Sequence, residues 1–82
     1  MSSVRKDWVY MPFKPGDVIY WCADSWTIRS GVVKSVIFLD EYIQIVVDER
    51  WWGVTIITTD YNFDGVFHTY EEADEARKNE VY

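Results

Sequence analysis

Cysteine and histidine are almost absent from this 82-residue chain, which has one of each, Cys22 and His68. A lone thiol closes no internal disulfide, and small secreted domains ordinarily carry several paired cysteines. The count therefore points to a reducing, cytoplasmic compartment. One Cys and one His cannot supply the four ligands of a structural zinc site. The N-terminus, Met1 to Asp7, lacks the apolar run of a signal peptide, and no apolar stretch approaches the roughly 18 residues that a membrane span needs. The four glycines stand apart from one another, so no glycine-rich loop is available to cradle phosphates. Basic residues are also scarce, eight Lys and Arg against fourteen Asp and Glu, for a net charge of −6. The clustered cations that neutralise phosphates are missing, which argues against direct nucleic-acid or membrane binding.

What the chain has is apolar and aromatic mass. Hydrophobic residues make up 49% and aromatics 18%, with five Trp. The length suits one domain, whose folding buries only about 60–65% of the unfolded surface. Each aromatic ring can bury about 150–250 Å², enough for the chain to fold without metal, disulfide or cofactor. Charge is uneven. Through Lys34 five basic residues face three acidic ones, whereas from Ser35 onward three basic residues face eleven acidic ones. Such an acidic half is explained by solubility, or by attraction to a partner with a basic surface.

Local patterns predict mainly strands. Residues 1–13 form a lead-in with aromatic anchors, and Lys14-Pro15-Gly16-Asp17 is a turn. Val18 to Cys22 reads as a strand. Trp26 to Leu39 is a longer one, with Gly31 as the expected bulge or bend. Asp40-Glu41 is a tight turn. Tyr42 to Asp48 alternates as a half-buried antiparallel strand does, with Ile43, Ile45 and Val47 on one face. Glu49 to Gly53 is a loop or bent strand end, Val54 to Thr59 another strand, Asp60 to Gly65 a loop, and Val66-Phe67 a last short strand. Thr69 and Glu72 form a capping box that opens a helix over 69–80. Acidic residues fill its first turns and Arg77-Lys78 lie near its end, matching the helix dipole. Its inward face is expected to be Tyr70, Ala73, Ala76 and the stem of Arg77, with Val81 beyond.

These elements make one domain over 1–82, with a β portion over 14–67. The expected class is mainly β with one C-terminal helix, either a small five-stranded SH3-like barrel or a strongly bent antiparallel sheet. The Pro15-Gly16-Asp17-Val18 turn, the segment Ile28-Arg-Ser-Gly31-Val-Val33, and the helix entry Val66-Phe67-His-Thr69-Tyr-Glu71-Glu72-Ala73 carry a resemblance. Together they resemble small uncharacterised proteins of phages and Gram-positive bacteria that join an SH3-like barrel to a short C-terminal helix. The resemblance covers most of the chain from Lys14 onward; the Trp51-Trp52 pair departs from it. It implies a fold and a mobile-element origin, and no catalytic residues.

Candidate chemistry is sparse. Cys22 lies in an apolar strand, where a thiol acts as a small hydrophobe, and His68 precedes the helix cap, so a Cys–His nucleophile is not expected. Asp60-x-Asn62-x-Asp64-Gly65, followed after five residues by Glu71, fits the spacing of an EF-hand calcium loop. Yet a strand, not a helix, precedes it. Asp, Asn and Gly also suit any turn. Five Trp cannot all enter so thin a core. Trp51 and Trp52 are adjacent, so in extended backbone one points away from the other. Either they fold over sheet edges or at least one is an exposed hot spot. The expected function is a non-enzymatic acidic protein-interaction module. Its partner-binding residues would be Arg50, Trp51 and Trp52, framed by Glu71, Glu72, Asp74 and Glu75. The resemblance makes the concrete version an inhibitor of a host nucleic-acid-binding defence nuclease. A calcium-binding domain through Asp60 to Glu71 and a structural homodimer are the alternatives.

Overall fold

Alternation along Ile43 to Glu49 decides the architecture, because every second residue there is apolar except the last. The computed structural model describes residues 13–79. Five strands form one antiparallel sheet: β1 (Val18–Cys22), β2 (Ile28–Phe38), β3 (Ile43–Glu49), β4 (Gly53–Thr59) and β5 (Val66–Phe67), followed by helix α1 (Tyr70–Lys78). Their order is β4-β3-β2-β1-β5, with β3 and β2 in the middle. Ile43, Ile45 and Val47 of β3 are wholly buried. Their neighbours across the sheet, Val33 and Val36 on β2 and Ile57 on β4, share that face. Ile19 and Trp21 extend it onto β1, and Phe13, Phe38, Phe63 and Val66 complete the core.

The sheet is not a closed barrel, and it is compatible with the strongly bent alternative. Among the described residues β4 pairs only with β3, and β5 only with β1. Closure requires a last strand long enough to reach the opposite edge at the right tilt. With two residues, β5 is too short, and the chain turns directly into α1. The helix instead covers the outer side of β1, β5 and part of β2. Ala73 and Ala76 are its buried residues, and the Cys22 thiol donates to the Ala73 carbonyl at 3.4 Å. Small side chains let the helix axis come close. Tyr70, expected on the inward face, is half-exposed and meets Tyr20 edge-on at 6.4 Å. Val81 and the lead-in residues before Phe13 fall outside the described residues.

The irregularity expected at Gly31 lies further along. Val33 pairs with Val47 but Ser35 with Val46, so Lys34 is the extra residue of a bulge. That insertion explains why Val33 and Val36, three positions apart, both face inward. Gly31 answers a different need. A Cβ there would sit 2.3 Å from Val47 Cγ1 and 2.8 Å from the Asp48 carbonyl oxygen. Backbone cannot retreat cheaply from such a contact. Gly31→Ala is expected to cost about 2–3 kcal/mol by overpacking, read as a lower denaturant midpoint with an unchanged slope. A midpoint equal to wild type would show that the approach is not a constraint.

Candidate functional site: an arginine and tryptophan end of the sheet

Two reverse turns lie side by side at one end of the sheet, and between them they carry three tryptophans. The β1–β2 turn is closed by Ala23 N–H donating to the Thr27 carbonyl at 2.9 Å. The Asp24 carboxylate accepts from the N–H groups of Trp26 and Thr27, both at 2.8 Å. Arg77, at the end of α1, donates to the Ser25 carbonyl at 3.3 Å. The β3–β4 turn is closed by Trp52 N–H donating to the Glu49 carbonyl at 3.0 Å. Gly53 follows with φ +83°, a left-handed conformation that costs glycine little. Trp26, Trp51 and Trp52 are 87%, 83% and 75% exposed. Adjacent Trp51 and Trp52 both face solvent because they occupy the turn rather than extended backbone, where one would have pointed inward.

Beneath the tryptophans lies a buried charge. The inward parity of β3 continues through Val47 to Glu49, which is 2% exposed. Arg29 of β2 meets this carboxylate as a fork, Nε to Oε1 at 2.8 Å and Nη2 to Oε2 at 2.6 Å. The Thr55 hydroxyl of β4 donates to Oε2 as well. Fork geometry of this kind combines charge with two aligned hydrogen bonds. The Arg29 side chain is one-third exposed. Its guanidinium lies 5.8 Å from the ring centroids of both Trp21 and Trp52, within cation–π range. Arg50 stands in the same relation to Trp51 at 5.7 Å. One open groove at this end is lined by Ala23, Asp24, Thr27, Arg29 and Trp52. Glu49 thus fixes Arg29, and Arg29 gives Trp52 a defined surface to lie against.

The residues expected to frame the tryptophans are divided by the fold. Arg50, Trp51 and Trp52 are together at the turn. Glu72 is used at the helix start, where it accepts from the N–H groups of His68 and Thr69 at 3.0 and 3.3 Å, while its own N–H bonds the Thr69 hydroxyl. Asp74 is taken by Arg77 at 2.5 Å and Lys78 at 3.3 Å. Glu71 and Glu75 are exposed. The helix runs from Tyr70, against Tyr20, toward the β1–β2 turn, where Arg77 docks. Glu71 therefore lies about 9 Å further along the axis than Arg77, at 1.5 Å per residue. The end that the helix brings to the tryptophans is its basic one. Arg29 and Glu49 were not among the sequence candidates, although the alternation that picks out Ile43, Ile45 and Val47 leads directly to Glu49.

Within the Asp60 to Glu71 segment, residues 60–65 are a loop tied by Asp60, and the rest is β5 and the start of α1. β4, not a helix, leads into it. Asp60 Oδ1 accepts from the N–H groups of Asn62 and Asp64 at 3.0 and 3.2 Å. The Asp64 N–H is the main reason its carboxyl titrates low, while the Asp60 carboxylate beside Asp64 pushes that group up. Phe63 has φ +58°, and the Thr59 hydroxyl ties the loop through the Asp64 carbonyl. Among the described residues no three His, Cys, Asp or Glu side chains converge as a metal ion requires. Burial raises the Cys22 thiol above its ordinary value, and His68 stacks on Phe13 at 4.3 Å. No family model, curated protein or solved structure matches the chain.

Two predictions concern this end of the molecule. Arg29→Ala leaves Glu49 buried and unpaired and is expected to destabilise by about 2–4 kcal/mol, whereas Arg29→Leu with Glu49→Leu recovers most of the loss. Thermal or urea unfolding reads both. The second concerns pH. The Trp26 N–H holds the Asp24 carboxyl below the usual range, and the Arg77 guanidinium does the same for Asp74. A lowered folded value means that the stability each group supplies is present above roughly pH 3.9. That stability is lost as the pH falls through the folded value. Carboxyl NMR titration should show both groups titrating below an unperturbed aspartate, with the loss of stability following them.

Proposed function

We propose that this protein is a non-enzymatic protein-interaction module whose binding surface is the turn end of the sheet. The observation that carries the reading is the exposure of Trp26, Trp51 and Trp52 on two adjacent turns, above an Arg29 fixed by buried Glu49. Trp and Arg are the residues most enriched among binding hot spots, and a rigid platform lowers the ordering cost of association. Rings at this exposure contribute little to the fold, so packing gives no reason for tryptophan at these positions. The surface is one of mixed sign: Arg50, Arg77 and Lys78 lie with Asp24 and Asp74, and the chain's acidic excess lies elsewhere.

The concrete version of this reading is an inhibitor encoded by a mobile element, acting in the cytoplasm on a host defence nuclease. It is supported by the resemblance carried by the Pro15 turn and the Thr69 helix entry, and by the net charge of −6, which suits a partner with a basic nucleic-acid channel. In it the tryptophans anchor the contact, and exposed Glu71 and Glu75 act at longer range by speeding encounter.

The test uses the purified protein with Trp51→Ala/Trp52→Ala and, separately, Glu71→Gln/Glu75→Gln. Both variants are expected to keep their unfolding free energy within about 0.5 kcal/mol, as surface substitutions do. The tryptophan variant should lose a nuclease that the wild type retains from bacterial lysate and inhibits in a cleavage assay. The glutamine variant should bind more slowly, with a weaker salt dependence. Inhibition that persists in high salt and after neutralisation of Glu71 and Glu75 would remove the electrostatic part of the proposal. Full binding by the tryptophan variant would remove the whole of it.

A further inference from the structure

Strand β4 closes one side of the sheet with its outer edge unpaired among the described residues. Natural edge strands are usually protected from joining other strands by an inward charge, a lysine, a proline or a bulge. Gly53–Thr59 has none of these. Its sequence is Gly-Val-Thr-Ile-Ile-Thr-Thr, and its register with β3 runs unbroken from Gly53 to Thr59. The bulge of this sheet lies between β2 and β3, where it protects nothing. Val54 and Ile56, on the outer face, are 66% and 57% exposed.

We infer that β4 is a self-association edge, pairing antiparallel with β4 of a second copy about a two-fold axis through Ile56. A two-fold contact needs a surface complementary to itself, and this strand meets the condition. Centred on Ile56, Val54 of one copy faces Thr58 of the other, Thr55 faces Ile57, and Ile56 faces Ile56. Each of these pairs is β-branched, the class that packs best across strands, and only Gly53 opposite Thr59 at the ends departs from it. Charge does not oppose the contact at the seam itself. With a net charge of −6, the chain should repel itself, yet the strand at the seam carries no charge. Helix α1, with Glu71 and Glu75, covers β1 and β5 at the opposite side of the sheet. The product is a continuous ten-stranded sheet, and the tryptophan turns stay outside the seam.

Two measurements test this on the intact chain. Sedimentation equilibrium from micromolar to millimolar protein should move from one to two times the 9.8 kDa chain mass. Ile56→Lys should hold the mass at one chain throughout, while Trp51→Ala/Trp52→Ala should leave the association unchanged, which separates this inference from the proposed function. Because Ile56→Lys is also a stability change, the second measurement uses Ile56→Cys in a Cys22→Ser background. Opposed strand positions lie at roughly 4.5–5.5 Å between Cα atoms, within disulfide reach. Mild oxidation should therefore cross-link Ile56→Cys between chains, and Val18→Cys should not react in this way. A monomer at millimolar concentration, a dimer that survives Ile56→Lys, or equal cross-linking at both positions would overturn the inference. The last two results would place the contact on another surface.

Discussion

Burial of every second residue of β3 is the constraint on which the rest of the molecule depends. Ile43, Ile45, Val47 and Glu49 form a single inward row with essentially no solvent contact. In a chain this short, that row is covered among the described residues by the sheet itself and the segments that flank it. Ile19 and Trp21 from β1 and Phe13 and Phe63 from the flanking segments join the same core cluster as that row. The bulge at Lys34 keeps β2 in phase with it. Gly31 lets β2 pass close to Val47 and the backbone of Asp48.

The row does not end where its hydrophobic character ends. Parity forces the seventh residue of β3 inward, and that residue is a glutamate. Its carboxylate is tolerable only because Arg29 and Thr55, on the strands either side, supply donors to it. Such an arrangement adds little net stability compared with apolar residues of the same size. What it does provide is position. The guanidinium is fixed at the mouth of the core, within 5.8 Å of the ring centroids of both buried Trp21 and exposed Trp52. The interior and the exposed tryptophan turns are thus joined through one side chain.

Much of the fold was legible from residue patterns. All five strands and the capped helix lie where alternation, turn residues and the Thr69–Glu72 pair place them, with ends differing by one or two residues. Closure was not legible, because it depends on whether a two-residue strand reaches a distant edge, and local propensity carries no information about that. The bulge was expected at glycine because glycine is the visible irregularity, yet a close backbone approach claimed Gly31 and the bulge fell on Lys34. The tryptophans were identifiable by surplus alone, but the relation of Trp51 to Trp52 depended on whether Glu49 to Gly53 was strand or turn. Arg29 was invisible as a partner of Glu49, since residues twenty apart are brought together only by the β2–β3 register.

The β3–β4 turn is held by backbone features, the Glu49 carbonyl and the left-handed Gly53. Neither depends on what side chains stand at positions 50, 51 and 52. The same holds for position 26, whose turn is fixed by Asp24 through N–H groups that almost every residue type possesses. Identity at these four positions is therefore decoupled from foldability. If the proposed recognition surface lies there, it could be rewritten one residue at a time. Each intermediate would still fold, and the cost of exploration would fall on binding alone.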